Sequence, residues 1–324
     1  MSALHTLRQT YSSRLERLHT VIVEALSSDN PLMSRVIEHY MSHRGKQLRP
    51  LLAMITADML GEPPCYDVTP AAAAIEMLHN ASLIHDDVVD ASDVRHGVPT
   101  INAIWDNHIA VLAGDYFVSR ALSLSASTAD FRVIETLAGL GAQLSLGEMS
   151  QIHNAREHSL TEEGYFSIIT RKTASLFRAC VEVGAYSVGV TDRRLDLLRR
   201  YADIFGQCFQ ITDDIFDYTP SATLGKPTGN DLREGKVTLP LLCALDSGDR
   251  EATEMRSKLM SDSLTDSDIA TLLEFTHRAG GIEAARAKLA ALRNEGEAIA
   301  RAIAPHSEPN PLVTFLDYVV AREN

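Results

Sequence analysis

The chain has 324 residues and a formal net charge of −13, from 43 acidic against 30 basic side chains. That length supports a large hydrophobic core, and the acidic balance excludes a general nucleic-acid binder, which would present a basic face. Four cysteines, Cys65, Cys180, Cys208 and Cys243, are scattered without zinc or redox spacing. No long Ser/Gly/Pro tract marks a linker, so residues 1–324 read as one domain. Met1 to Thr20 lacks the basic-then-apolar order of a signal peptide, and no run of 18 apolar residues marks a membrane span. The expected compartment is the cytoplasm.

The first helix is expected from about Leu4 to Ser27, with Leu7, Tyr11, Leu15, Leu18, Ile22 and Leu26 forming one apolar stripe. Asn30-Pro31 opens a second helix carrying Leu32, Val36 and Ile37, which His43-Arg44-Gly45-Lys46 breaks. Pro50 suits the first turn of a third, Leu51 to Leu60. Thr69 reads as the N-cap and Pro70 as the first helical residue of a long helix that Gly97 and Pro99 close. Ala110 to Ala126 follows, with Leu112, Phe117, Ala121 and Leu124 expected inside, then Asp130 to about Asn154. Another helix opens at Thr161 and runs through Tyr165, Ile168, Ile169, Leu176 and Phe177. Residues 193–218 form a helix and Ser221 to Lys236 a basic, glycine-rich loop. The remainder reads as helices bounded by Gly248, Gly280-Gly281 and Pro305. Sustained period-two alternation is absent, which predicts an all-α bundle.

Two stretches carry chemistry. In His79-Asn-Ala-Ser-Leu-Ile-His-Asp86-Asp87-Val-Val-Asp90, three carboxylates fall within five residues. On a helix Asp86 and Asp90 share a face, Asp87 lies beside them, and His79 stands two turns earlier. The pattern returns in Gln210-Ile-Thr-Asp213-Asp214-Ile-Phe-Asp217, amid Phe209, Ile211, Ile215 and Phe216. Clustered carboxylates repel, and burial raises the cost of their charge, so a divalent cation is the economical partner. All-oxygen ligation suits Mg²⁺, which shares its ligands with substrate phosphates, and two such helices facing each other would make an acidic cleft. Lys46, Arg49, Arg95, Lys172, Lys226 and Lys236 are odd companions for a metal store and natural ones for a diphosphate.

The two Asp-Asp-x-x-Asp stretches resemble the aspartate-rich motifs of the trans-isoprenyl diphosphate synthases. Gly45-Lys46-Gln-Leu-Arg49-Pro50, Asp93-Val-Arg95-His-Gly97, Lys172-Thr173 and Leu224-Gly-Lys226 through Lys236 fall in the family order. The resemblance implies one large all-helical bundle of the isoprenoid synthase type with a central cavity, acting as a homodimer. It implies an allylic diphosphate held through about three Mg²⁺ ions by Asp86, Asp87, Asp90, Asp213, Asp214 and Asp217, with Arg95, Lys172 and Lys226 on the diphosphate. Isopentenyl diphosphate would dock on Lys46, Arg49 and His79, with His96 and Lys236 also in the substrate-binding set. Thr173 and Gln210 would steady the carbocation, and the released diphosphate would take the proton. The family often has Arg-Arg where this chain has Arg95-His96, and a Lys where Val98 stands. His96 is charged only when protonated, near pH ~6.5, which predicts weaker or more pH-sensitive isopentenyl diphosphate binding.

Ser82 and Ala81, four and five residues before Asp86, are small where short-chain enzymes of this family often carry an aromatic stopper. Each helical turn advances ~5.4 Å, about one isoprene unit, so an unplugged first turn predicts a medium- or long-chain product, such as an octaprenyl quinone side-chain precursor. Met77, Leu78, Tyr116 and Phe117 are candidates for a deeper floor. The alternatives are a short-chain farnesyl or geranylgeranyl diphosphate synthase, a terpene cyclase, and a non-catalytic synthase subunit. All six aspartates and the Lys46/Arg49 pair argue against the last two.

Overall fold

The computed structural model describes residues 3–42, 45–95, 97–157, 161–219, 228–261 and 264–322, which are almost entirely helical. The chain divides into two compact units: Met1–Ala142 with Leu176–Arg199, and Gln143–Ser175 with Arg200–Asn324.

In the first unit the expected N-terminal helix is two, α1 (Ala3–Thr10) and α2 (Ser12–Leu26), because Tyr11 leaves helical geometry at φ −99°, ψ 6°. The apolar stripe survives the break, with Leu15, Leu18, Ile22 and Leu26 buried. Asn30 caps α3 (Pro31–Met41) by accepting from the backbone N–H groups of Leu32 and Met33. Gln47, left-handed at φ 52°, opens α4 (Leu48–Met59), which holds Pro50 in its first turn. The long helix α5 (Thr69–Val89) is the hub, with alanines 71–74, Ile75 and Met77 buried against α2, α4 and α7 (Asn107–Ala126). Its cap differs from expectation. Thr69 is the first helical residue rather than the cap, and Asp67 accepts from both its N–H and its hydroxyl.

After α5 the chain makes a minimal hairpin, β1 (Val94–Arg95) against β2 (Val98–Pro99), which pattern reading did not anticipate. Two residues per strand are too few to show alternation. A short α6 (Ile101–Ile104) leads to α7, capped by the Asp106 side chain. Phe117 and Ala121 are buried as expected, Leu124 is half-buried, and Leu112 is 58% exposed, contrary to expectation. By length and composition α7 could cross a membrane, though Asp115 and Arg120 interrupt it and Ala110, Ala113, Gly114 and Phe117 are buried. Next comes α8 (Phe131–Arg156).

The helix expected from Thr161 through Phe177 is three elements. Thr161 caps α9 (Glu162–Ile169), a π-helical turn covers Thr170–Ala174, and α10 (Ser175–Ser187) follows. In the first unit α10 approaches α4 through Gly184, where a Cβ would lie 2.6 Å from the Ala53 carbonyl oxygen. The second motif lies on α11 (Arg193–Asp217), nearly as expected. A four-residue α12 (Asn230–Arg233) interrupts the predicted loop. The second unit continues through α13 (Leu239–Leu245), α14 (Arg250–Leu259), α15 (Asp266–Arg278), α16 (Gly281–Ile303) and α17 (Pro311–Ala321).

Candidate active site

The first motif occupies the C-terminal end of α5. Asp87 is buried, and its Oδ1 accepts from Arg95 Nε at 2.7 Å, so the hairpin after the helix folds back to neutralise it. Asp86 is half-buried, and Asp90, the C-cap, is exposed. Of the three, Asp86 and Asp90 thus present the more accessible oxygens. His85 on the same helix has a packing role. Its ring occupies the space above Gly114 of α7, where a Cβ would lie 2.2 Å from Nε2, and Nε2 is 3.5 Å from Asp115.

Two turns earlier on α5, Arg49 and Arg95 act on a neutral histidine. Burial, and then the positive charges of Arg49 and Arg95, hold the His79 imidazole well below its usual value, so it is uncharged near neutrality. His79 Nδ1 is enclosed and makes no hydrogen bond. Arg49 lies over the Phe177 ring at 5.1 Å. Glu76, one turn before His79, is raised by burial and opposed by the charge of Arg49. Lys46 is exposed. Lys46, Arg49, His79 and Arg95 thus belong to one unit, whereas His96 and Lys226 lie outside the described residues.

The second motif is the more elaborate. Asp214 is 3% exposed. Its Oδ2 accepts from the Tyr165 hydroxyl at 2.5 Å and its Oδ1 from Gln210 Nε2 at 2.8 Å. Thr173 Oγ1 donates to Gln210 Oε1 at 2.8 Å, completing a relay from Thr173 through Gln210 to Asp214. Burial pushes the Asp214 carboxyl up to about 7, helped by the charges of Asp213 and Asp217 and opposed by its two hydrogen bonds. Asp217 serves the neighbouring segment, its two oxygens accepting from the Asn230 and Asp231 backbone N–H groups at 3.0 Å each. Asp231 is a fourth carboxylate of the cluster, raised well above the ordinary range by burial and by Asp214 and Asp217.

The π-helical turn presents Lys172 and Thr173. A π turn inserts one residue into the α ladder and so redirects the side chains it carries. Two glycines let it fit. A Cβ on Gly206 of α11 would lie 2.3 Å from Ala174 Cα, and one on Gly147 of α8 would lie 2.7 Å from Lys172 Cγ. Lys172 Nζ donates to Gln151 Oε1 at 3.1 Å and pairs with Glu148, both on α8. Lys172, Thr173, Gln210, Asp214, Asp231 and Lys236 line a cavity of about 740 Å³ within the second unit. Lys236 reaches Glu234 at 2.5 Å, and its backbone N–H donates to the Asp231 carbonyl at 2.7 Å.

These donors fit a divalent cation. The second-motif carboxylates are all oxygen donors, and Asp214 and Asp231 stand in a field of like charges that raises both. Among the described residues no three His, Cys, Asp or Glu side chains form a complete metal cage by themselves. Sequence reasoning missed Glu76, Glu148, Gln151, Tyr165, Asp231 and Arg322, whose guanidinium lies 2.8 Å from Asp213. Only the Glu148/Gln151 pair left a signal, two polar residues three apart just after Gly147.

A helical fold with an Asp-Asp-x-x-Asp motif in each unit, one of them on a cavity lined by lysines and carboxylates, is that of an isoprenoid synthase type enzyme. The sequence model of the family "Polyprenyl synthetase" matches residues 30–276, and the chain belongs to that family. It is a prenyltransferase. It is 37% identical over 263 residues to an all-trans-nonaprenyl-diphosphate synthase (geranyl-diphosphate specific) of Rhodobacter capsulatus, covering 81% of this chain and 80% of that one. With octaprenyl diphosphate synthase of Escherichia coli K12 it shares 36% identity over 253 residues, 78% of each chain. A polyprenyl synthase from Caulobacter crescentus CB15, solved with calcium and isoprenyl diphosphate, superposes with a TM-score of 0.90 at 31% identity, covering 100% of this chain and 99% of that one.

Proposed function

We propose that the chain is an all-trans polyprenyl diphosphate synthase of the medium- to long-chain type. It condenses isopentenyl diphosphate head-to-tail with an allylic diphosphate, lengthening the chain by one isoprene unit per cycle. The observation that carries this reading is Asp214, a buried carboxylate fixed by Tyr165 and Gln210 on the wall of a cavity that also carries Lys172 and Lys236. Divalent cations, Mg²⁺ and about three in number, would be held by Asp86, Asp87 and Asp90 and by Asp213, Asp214 and Asp217, with Asp231 enlarging the negative field. When bound they supply electrostatic stabilisation to the departing diphosphate.

The chain's own residues do the rest. Lys172, Arg95 and Lys226 bind the allylic diphosphate, with Glu148 and Gln151 keeping the Lys172 ammonium in place. Lys46, Arg49, His96 and Lys236 bind isopentenyl diphosphate, and neutral His79 offers it a hydrogen bond without adding to the local positive charge. The Thr173–Gln210 relay puts oxygen dipoles beside the developing allylic cation, and loss of a proton to the released diphosphate ends the step. The chain works as one synthase domain, a reading supported by the family match at 30–276, which includes residues of both units; the compartment proposed for it is the cytoplasm. The exposed Val111, Leu112 and Leu122 of α7 support a homodimer.

The test is purified protein with Mg²⁺, isopentenyl diphosphate and labelled farnesyl diphosphate, the product length being read by chromatography. Products in the range of the octaprenyl and nonaprenyl relatives are expected, and chelation should stop elongation. A product ending at 20 carbons, or turnover that survives chelation, overturns the reading.

A further inference from the structure

Along α11 a stripe recurs every four residues: Tyr201, Phe205, Phe209, Asp213 and Asp217. The C-terminal helix α17 runs along it. The Tyr201 hydroxyl donates to the Leu312 carbonyl at 2.7 Å, and the Phe205 and Phe315 rings stack at 5.0 Å with 12° between planes. Arg293 of α16 ties the same helix down through Asp317 at 2.6 Å. The next contact along the stripe is made by Arg322, the first residue after α17. Its guanidinium carbon lies 4.0 Å from the Phe209 ring centroid. Its Nη2 donates to the Phe209 carbonyl at 2.7 Å and lies 2.8 Å from Asp213 Oδ1.

The Arg322 side chain is only 9% exposed, against 41% for Asp213. Ordering an arginine costs backbone and side-chain entropy. Removing a permanent charge from water adds to that cost. Packing of α17 does not require it, because Tyr201, Phe315 and Arg293 already fasten the helix. What Arg322 adds is a fixed grip on one oxygen of an aspartate that adjoins Asp214 and shares a face with Asp217. The guanidinium offsets part of their mutual repulsion and removes the rotational freedom of the Asp213 carboxylate.

We propose that Arg322 is a positioning residue for the second aspartate motif: anchored on Phe209, it holds the Asp213 carboxylate in a fixed orientation for a divalent cation. Arg322, at the C-cap of α17, thereby sets the cation affinity of that motif. The inference rests on the reading of Asp213 as a cation ligand. Hydrogen-bonding partners behind metal ligands typically contribute about 10- to 100-fold in affinity.

The experiment measures thermal stabilisation of the full-length protein by Mg²⁺ at fixed inorganic pyrophosphate, with no turnover involved. Arg322→Gln should raise the half-saturating Mg²⁺ concentration about tenfold or more. Arg322→Lys, which keeps the charge but loses the planar fork, should raise it less. Arg293→Gln, which loosens α17 without touching Asp213, should leave it unchanged. In steady state, excess Mg²⁺ should restore most of the Arg322→Gln activity. An unchanged or lowered half-saturation in both Arg322 variants overturns the proposal, as does an equal rise in Arg293→Gln. Asp213→Asn separates the two levels. If it weakens Mg²⁺ binding while the Arg322 variants do not, only the inference fails. If it has no effect, Asp213 is not a ligand and both fall.

Discussion

The seam between α11 and the π-helical turn is where the structure makes its most quantitative demand. A Cβ on Gly206 would lie 2.3 Å from Ala174 Cα, 2.6 Å from its Cβ and 2.9 Å from its backbone nitrogen. Carbon atoms pack at about 3.5–4.0 Å, so Gly206→Ala must open the seam by on the order of 1 Å. No flexible side chain can absorb this, because the atoms met are backbone and a buried methyl. Overpacking of this kind costs about 1–3 kcal/mol, and alanine's better helix propensity returns up to ~1 kcal/mol. A net loss of about 1–2 kcal/mol is expected in urea denaturation. The same seam is crossed by Thr173 to Gln210 at 2.8 Å and Gln207 to Thr170 at 3.1 Å. Displacing positioned groups by about 1 Å can cost ~10²-fold, so single-turnover elongation should slow by one to two orders of magnitude with the circular dichroism unchanged. Gly147→Ala, whose nearest neighbour is the flexible Lys172 Cγ at 2.7 Å, should be milder on both measures. A Gly206→Ala enzyme with wild-type stability and wild-type rate would refute the reasoning.

Ala81 is fully buried on α5, and Ser82 is half-buried with its hydroxyl on the His79 carbonyl at 2.8 Å. Phe at either position should shorten the product, and an identical product ladder from both variants would remove the chain-length argument. Tyr165→Phe deletes the 2.5 Å hydrogen bond to Asp214 and should destabilise the metal-free protein by about 1–3 kcal/mol in denaturant titration; no change would mean that the bond contributes nothing. His79 titrates well below its unfolded value near 6.5 in the folded chain. The unfolded chain therefore binds the proton first as the pH falls. The stability due to neutral His79 is complete above ~6.5 and is lost below it, at up to ~1.4 kcal/mol per pH unit. Between pH 7.5 and 5 the wild type should lose unfolding free energy faster than His79→Asn, and parallel curves would contradict the assignment.

Helix α11 was legible because a 25-residue amphipathic pattern, with apolar residues recurring at helical spacing, has a single helical reading. The aspartates stood out as charges set among Phe209, Ile211, Ile215 and Phe216. The π turn was not legible, since no residue period encodes it. Contacts from Gly147 and Gly206, distant in sequence, leave it room. Leu112 was misplaced because periodicity identifies an apolar position without saying what covers it. Tyr165 and Arg322 escaped notice for a related reason. They reach their partners across 49 and 113 residues, and pattern reading works only over a few turns.

The repetition of Asp-Asp-x-x-Asp suggests three interchangeable ligands, and helical geometry denies it. Residues 213 and 217 lie one turn apart on one face, while 214 is rotated about 100° from 213. The rotated position points Asp214 inward, where only a hydrogen-bonded carboxyl can persist, and Tyr165 and Gln210 meet it there. Asp217, at the helix end, meets the chain leaving the helix and binds the Asn230 and Asp231 backbone. Asp213 keeps 41% of its side chain exposed, and Arg322 reaches it. The spacing that places three carboxylates near a cation therefore also places them in three different environments, each with its own protein partner. The first motif divides in the same way, Asp87 turning in toward Arg95 while Asp86 and Asp90 remain more accessible.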